Sequence, residues 1–283
     1  MTTRHVTVGV DGSLIAVRAL DRAADEAAMR GTALEIVYAV HDIDEAGPIL
    51  ASAALRARDR HPGLPVTTSA VQGSPVQALL RHGRDAALTV VGTRGLGGIT
   101  GPLFGSVSLR LAAHSHTPLL VVRGDHALAR RGGVLLLGLE SEADTDAAAY
   151  AFEEAERRGA GLRILRAWTY RHLTPEQPDP LPTHRLRDDL VRQTRTEQAV
   201  PRFAVAGLRE QHPGVGVETR TVRSSPAHAL LEATREADVV VIGAHRRPHR
   251  FGPQLGPVTH TLLHRSHCPV LVVPTGQAAA ITR

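Results

Sequence analysis

The stretch Val71-Gln-Gly-Ser-Pro-Val-Gln-Ala-Leu-Leu80 decides the fold of this chain, because it occurs twice. Its second copy, Val222-Arg-Ser-Ser-Pro-Ala-His-Ala-Leu-Leu231, lies 151 residues further on. In both copies an extended run is followed by Ser-Pro, which is typical of a helix N-cap with proline at the first helical position. The stretch therefore predicts a strand that passes directly into a helix, in a unit that is present twice.

The repeat extends over most of the chain. The same offset carries Gly92 onto Gly243 and His116–Val122 onto His267–Val273, whereas upstream Arg30-Gly31 matches Arg158-Gly159 at an offset of 128. The second copy has therefore gained about 23 residues, which include the proline-rich stretch 174–182. Proline at that density is typical of a surface segment. We predict two domains, at residues 1–124 and 133–275, with a linker around the glycines between them.

Short aliphatic runs alternate with helical patterns inside the first copy. Runs of this kind are typical of strands buried on both faces, and their alternation with helices indicates right-handed βαβ units. We therefore predict an α/β fold of two tandem doubly wound, Rossmann-like domains, each with a five-stranded, mainly parallel sheet. Ligands bind such sheets beyond the carboxyl ends of the strands. The predicted strands are Val6–Val10, Leu34–Val40, Val66–Val71, Leu88–Val91 and Leu119–Val122, and the predicted helices are Leu14–Arg30, Pro75–Arg84 and Ser106–Ala113.

Composition excludes several classes of site. The chain has 283 residues and a net charge of +5, and none of its 33 Lys and Arg residues is a lysine, which excludes a phosphate-loop lysine and a Schiff-base lysine. The arginines are scattered among acids and only 3% of residues are aromatic, which argues against nucleic acid as a partner. No apolar run reaches the roughly 20 residues that span a bilayer. The start of the chain does not resemble a secretory signal. We expect a cytoplasmic protein.

A glycine-rich segment joins the fourth predicted strand to the next helix, from Gly92 to Ser106. Backbone N–H groups and the helix dipole favour an anion at such a junction. Glycine allows close approach of a phosphate, and a serine hydroxyl can donate to it. The lysine-containing phosphate loop is ruled out, and GxGxxG fails because Thr100 stands at its last position. The alternative is a flexible surface loop without a ligand.

The spacing Gly92-x2-Gly95-x9-Gly105-Ser106 resembles the nucleotide loop of the universal stress protein family. The opening Val8-Gly-Val-Asp11-Gly-Ser13, the step Val71-x-Gly73-Ser-Pro75 and the tandem repeat resemble the same family. The resemblance covers nearly the whole chain and implies ATP as the ligand, alone or with Mg²⁺. It assigns Asp11 to the adenosine, the main chain of Ala39 and Val40 to the adenine edge, and the loop to the triphosphate.

Two of these positions have simpler alternatives. Asp11 is also a common turn residue before glycine, and Arg94, a candidate to pair with a phosphate, is equally consistent with a solvated loop arginine. The nucleotide-binding residues that we predict are Val10, Asp11, Ala39, Val40, Gly92, Arg94, Gly95, Gly105, Ser106 and Val107.

The second copy departs from this pattern. Its first strand leads into Glu140-Ser-Glu142, and in its loop Arg246 and Pro257 replace the second glycine and the hydroxyl residue. Two carboxylates oppose a polyphosphate, and proline removes a backbone N–H. The arginines of this loop still attract anions. We nevertheless predict one nucleotide site, in the first copy.

The sequence gives weaker evidence for two other kinds of site. His260, His264 and His267, with Cys268 beside them, have a spacing that suits zinc. A histidine-bearing helix face explains the same pattern, and His114 and His116 occupy the matching place in the first copy. A serine hydrolase is disfavoured because the chain has no Gly-x-Ser-x-Gly elbow after a strand.

The resemblance implies a stress-response protein in which bound ATP changes the choice of partner or the oligomeric state. A slow Mg²⁺-dependent ATPase and a nucleotide-free interaction module remain alternatives. The resemblance also implies that the two copies pack as an internal pseudo-dimer, as dimers of the family do. Burying the strand edges Leu119–Val122 and Val270–Val273 in this way would remove exposed edges. A homodimer of the whole chain is a further alternative.

Overall fold

The computed structural model describes residues 4–93, 106–123, 133–141, 144–169, 183–247 and 254–275. The first repeat contains strands β1 (Val6–Val10), β2 (Leu34–Val40), β3 (Val66–Gln72), β4 (Leu88–Gly92) and β5 (Leu119–Val122), and helices α1 (Leu14–Arg30), α2 (Ala46–Arg60), α3 (Pro75–His82) and α4 (Ser106–His114). The second repeat contains strands β6 (Val134–Gly138), β7 (Gly161–Trp168), β8 (Val217–Arg223), β9 (Val239–Ala244), β10 (Arg246–Arg247), β11 (Gln254–Leu255) and β12 (Val270–Pro274). Its helices are α5 (Thr145–Arg158), α6 (Thr183–Ala204), α7 (Ala206–Gln211), α8 (Pro226–Ala233) and α9 (Pro257–Arg265).

Ten strands form one continuous sheet in the order β3-β2-β1-β4-β5-β12-β9-β6-β7-β8. Within this sheet all pairs inside a repeat are parallel, and the two repeats join through the antiparallel pair β5–β12, in which Leu120 lies opposite Leu271. The α/β class, the doubly wound order of each repeat and the pairing of the fifth strands are thereby confirmed. The antiparallel junction also directs the carboxyl ends of the two sets of parallel strands to opposite edges of the sheet.

Helices cover both faces of this sheet. Helices α1, α2 and α5 pack on one apolar cluster, and α3, α4, α8 and α9 pack on the other. Buried alanines on α1 and α5, such as Ala23 and Ala151, have no exposed surface and bring these two helices close to the sheet. Close packing of α1 and α5 at the centre of the molecule also places their remaining faces near each other.

Three details differ from the sequence expectation. The strand predicted over Val66–Val71 is not buried on both faces, because β3 is an edge strand with mostly exposed or half-exposed residues. The helix predicted to end at Arg84 ends at His82 and continues as a 3₁₀ turn, and helix α2 had not been predicted. The proline-rich stretch 174–182 and residues 130–132 of the predicted linker lie outside the described residues.

Two glutamates and two arginines form a buried ion network between α1 and α5. Arg30 donates to Glu154 (Nη2 to Oε2, 2.6 Å), and Arg158 donates to Glu26 (Nη2 to Oε1, 2.6 Å). Each arginine also contacts the glutamate one turn earlier on its own helix. All four side chains are at most 10% exposed. Because the pairs occupy equivalent positions of the two repeats, the network is symmetric about their pseudo-two-fold axis.

Additional donors surround both carboxylates. Arg22 donates to Glu26 (Nε to Oε1, 2.9 Å), and Arg157 donates to Glu154 (Nη1 to Oε2, 2.5 Å). Burial by itself would raise the pKa of Glu26, but the guanidinium groups of Arg158, Arg22 and Arg30 outweigh burial and hold this pKa at about 2. Burial also raises the pKa of Tyr150, which accepts a hydrogen bond from Arg30, to about 12. The carboxylate of Glu26 is therefore ionised and depends on these arginines.

We expect the substitution Glu154→Gln to lower the free energy of unfolding by about 3 kcal/mol, because the buried guanidinium groups of Arg30 and Arg158 are then left to share the single carboxylate of Glu26. Urea denaturation followed by circular dichroism measures the loss. Asp21→Asn is the matched control, since Asp21 pairs with the half-exposed Arg56. Its expected cost is below about 1 kcal/mol. Equal small losses in the two variants would contradict a stabilising network.

Acid should weaken the fold through Glu26. Its pKa of about 2 lies below the ordinary value of 4.5, so its stabilising contribution is complete above pH 4.5 and is lost as the pH falls towards 2. This shift corresponds to about 3 kcal/mol. Urea titrations of the wild type and of Glu26→Gln across this pH range measure the effect. The variant should lose less stability than the wild type, and parallel pH curves would contradict the assignment.

Candidate functional site

The strand order of the first repeat reverses between β1 and β4. The chain adds β2 and β3 on one side of β1 and then returns to place β4 on the other side, with Val8 opposite Val90. Such a reversal opens a crevice at the carboxyl ends of the two strands, where α/β sheets bind ligands. The second repeat has the same reversal between β6 and β9, with Gly138 opposite Ile242. The fold thus provides two equivalent crevices.

Asp11 lies at the carboxyl end of β1, directly after the buried Val10. Its Oδ1 accepts a hydrogen bond from the backbone N–H of Ser13 (3.0 Å), across Gly12 with a φ of 80°. The hydroxyl of Ser13 in turn accepts from the N–H of Ala16 (3.2 Å) and caps α1. The turn therefore holds the carboxylate of Asp11 at the end of the strand. This position is consistent both with a turn residue and with a residue that contacts a ligand.

Strand β2 extends beyond β1 at the same edge. Its pairing with β1 ends at Tyr38 opposite Val10, and Ala39 and Val40 continue beside β3. The carbonyl of Val40 accepts from the N–H of Gly73 (3.0 Å), and Gly73 has a φ of 112° that favours glycine. The main chain of Ala39 and Val40 thus projects past the end of β1, and the carbonyl of Val40 already has one donor.

Gly92 ends β4 under the first turn of α1. A Cβ atom at this position would lie 2.6 Å from Cγ2 of Ile15 and 3.2 Å from its carbonyl oxygen. The glycine is therefore required by helix packing, in addition to any role towards a phosphate. Ser106, exposed, and Val107, half-buried, begin α4. Ser106 is itself the first helical residue of α4. Arg94, Gly95 and Gly105 lie outside the described residues.

The second crevice holds an internal anion. Asp144, only 1% exposed, accepts hydrogen bonds through Oδ2 from the backbone N–H groups of Glu140 (2.7 Å) and Ser141 (3.0 Å). A Cβ atom at Gly243 would lie 2.6 Å from Oδ1 of Asp144. In the first repeat the apolar side chain of Ile15 occupies the corresponding space beside Gly92. A carboxylate of the chain therefore sits on N–H groups at the end of β6.

His245 completes this cluster. Its Nε2 lies 2.7 Å from Oδ1 of Asp144 and 3.6 Å from Oε2 of Glu140. Glu140 and His245 line a cavity in this crevice with a volume of about 40 Å³. Beyond it, Arg246 pairs with Leu255 in the short ladder β10–β11, and Pro257 begins α9. The second crevice is therefore small and bears two carboxylates.

Neither Asp144 nor His245 was predicted as a site residue. A sequence signal existed for the first, since Asp144 directly precedes a helical pattern and thus stands at an N-cap position. Its side chain does not cap that helix and instead reaches back to β6. The contact with His245 joins residues about 100 positions apart, which no local pattern reveals.

Comparison with known proteins identifies the family. A model described as the universal stress protein family matches residues 2–56, 44–123 and 134–274. The chain belongs to the universal stress protein family. This universal stress protein is 30% identical over 296 residues to a universal stress protein of Mycolicibacterium smegmatis, covering 96% of this chain and 97% of the relative.

Other relatives agree in length and fold. A universal stress protein of Mycobacterium bovis is 31% identical over 293 residues, covering 94% of this chain and 96% of the relative. The crystal structure of a universal stress protein from Archaeoglobus fulgidus superimposes with a TM-score of 0.67 at 17% identity, covering 96% of this chain and 97% of the other. The similarity to these proteins thus covers both repeats of this chain.

The histidine group at the end of α9 does not form a metal cluster. The rings of His260 and His264 are 4.3 Å apart, whereas Cys268 is buried and burial raises the pKa of its thiol to about 12. The N–H of His267 donates to the hydroxyl of Thr234 (3.0 Å). Across the described ranges, no three His, Cys, Asp or Glu side chains are arranged to hold a metal ion. Likewise, none of the helices described there is long and apolar enough to cross a membrane.

We expect Asp144→Ala to lower the free energy of unfolding by about 1–3 kcal/mol, because the N–H groups of Glu140 and Ser141 lose the buried carboxylate that accepts from both. Thermal and urea denaturation measure this loss. Asp189→Ala is the control, since Asp189 pairs with Arg192 at an exposed position of α6. Surface changes of that kind stay within about 0.5 kcal/mol. A cost for Asp144→Ala as small as that of the control would argue against the internal anion.

Proposed function

We propose that this universal stress protein binds one ATP molecule, in the crevice of the first repeat between β1 and β4. The contrast between the two crevices carries the proposal. In the second repeat the carboxylate of Asp144 accepts hydrogen bonds from the N–H groups at the strand end. A polyphosphate bound there would be repelled by this carboxylate and by that of Glu140. In the first repeat the apolar Ile15 fills the corresponding space. A nucleotide therefore meets less electrostatic opposition in the first crevice.

The residues of the first crevice suit a nucleotide in type and position. A carboxylate such as Asp11 accepts hydrogen bonds from ribose hydroxyls, and main-chain groups of Ala39 beyond the end of β1 suit the edge of adenine. The start of α4 at Ser106 supplies a helix dipole and a hydroxyl for phosphate oxygens. We propose that Val10, Val40, Gly92, Arg94, Gly95, Gly105 and Val107 complete this site.

Binding, rather than turnover, is the role that we propose. Bound ATP would change the affinity for a protein partner or for a second copy of the chain, in a cytoplasmic protein with domains at residues 1–124 and 133–275. Mg²⁺ would accompany the nucleotide, with Asp11 as the nearest carboxylate among the proposed residues. Slow hydrolysis is the competing function, and phosphate release measured with the wild type and with Gly105→Asp distinguishes the two.

Calorimetric titration with ATP should give one site per chain. Asp11→Asn keeps an oxygen for the N–H of Ser13 but removes the charge, and we expect it to weaken ATP binding about tenfold or more. The matched control is Glu140→Gln at the equivalent strand end of the second repeat, which should leave the dissociation constant unchanged. Two equivalent sites, or equal effects of the two substitutions, would overturn the proposal of a single site in the first repeat.

A further inference from the structure

A second cavity lies at the opposite edge of the first repeat. It has a volume of about 430 Å³ and is bounded by the ends of α3 and α4 and by the turns that lead into β4 and β5. Its lining includes Arg81, Arg84, His114 and His116. The nucleotide crevice opens at the carboxyl ends of these strands, whereas this cavity lies at their amino ends. The two sites are therefore separate.

Among the described residues that line the cavity, two are arginines and two are histidines, and none is a carboxylate. Arg81, Arg84 and His116 have no ion pair or side-chain hydrogen bond to any part of the chain that the structure describes. Some other arginines of the same repeat are paired, as Arg56 with Asp21 and Arg60 with Asp25. The cavity thus concentrates positive charge that the protein itself leaves without a counter-ion among the described residues.

The C-terminal ends of helices usually oppose an anion, because their last carbonyl groups carry partial negative charge. Here those carbonyls are engaged by protein donors. The carbonyl of Gly83 accepts from the hydroxyl of Thr117 (2.8 Å), and that of Arg110 accepts from Nδ1 of His114 (2.8 Å). The hydroxyl of Ser115 likewise donates to the carbonyl of Thr117 (2.8 Å). The negative ends of α3 and α4 are therefore partly neutralised at the cavity.

The second repeat provides an internal comparison. At the offset of 151 residues, Glu232 stands in place of Arg81, and Arg235 in place of Arg84. Glu232 and Arg235 form an ion pair (3.2 Å between Oε2 and Nε). In the second repeat the same fold thus forms with the charge of Arg235 neutralised by Glu232. The unpaired arginines of the first repeat are therefore not required by the fold.

We propose that this cavity is a binding site for a small, multiply charged phosphate compound. Its volume falls within the range of about 300–1,000 Å³ that is typical of small-molecule sites. Two arginines at one cavity offer the planar, forked donors that bind phosphate oxygens in pairs. The site is independent of ATP binding in the crevice and is a property of the first repeat.

Pyrophosphate is the probe for the experiment. The ring signals of His114 and His116, assigned with His114→Gln and His116→Gln, are followed by NMR during titration of the full chain. We expect saturable shifts of both rings in the wild type. The same shifts should persist in Gly105→Asp, whose change lies in the proposed nucleotide loop. This result would separate the cavity from the crevice whether or not ATP binds.

The substitution Arg81→Glu with Arg84→Glu should weaken this binding at least about tenfold, because it replaces both charge-assisted donors. Arg235→Glu in the second repeat is the matched control and should leave the affinity unchanged. Both variants alter exposed residues, and circular dichroism verifies that they fold. Absence of ring shifts at millimolar pyrophosphate, or unchanged affinity in the double variant, would overturn the proposal.

Discussion

Two buried glutamates shared between two buried arginines hold the repeats of this protein together. Carboxylates without exposed surface are stable only when they are paired, and the partners of Glu26 and Glu154 come from both repeats. Separating α1 from α5 would remove the pair that each glutamate makes with the other repeat and leave it only with arginines of its own helix. The network, together with the antiparallel pair β5–β12, therefore turns two similar units into a single ten-stranded sheet.

The same junction keeps the two crevices apart. Because β5 and β12 are antiparallel, the carboxyl ends of the two sets of strands lie at opposite edges of the sheet. Each crevice is thus built by one repeat, and its side chains can change without affecting the other. Asp144 and His245 fill the second crevice, whereas Ile15 packs beside Gly92 in the first. Family membership accordingly does not imply that both repeats have the same ligand.

Much of the fold was predictable from the sequence because its signals are local. The bounds of β1, β2, β5 and α1 agree with the runs and helical spacing from which they were predicted, and the repeat predicted the pairing of the fifth strands. The prediction that β3 is buried on both faces was wrong for a physical reason, since an edge strand has the same β-branched composition as a buried one. The short ladder β10–β11 is too brief to produce a periodic pattern.

The sequence by itself determined the repeat, the alternation of strands and helices, and which residues end the strands where α/β sheets bind ligands. Only the tertiary structure decided which charged residues are buried. Glu26 and Arg30 on one helix look like a solvated i,i+4 pair, and their burial depends on Glu154 and Arg158, more than 120 residues away. Likewise, Asp144 has the sequence of an N-cap but acts as the anion of its own crevice, because His245 and the strand-end N–H groups meet there.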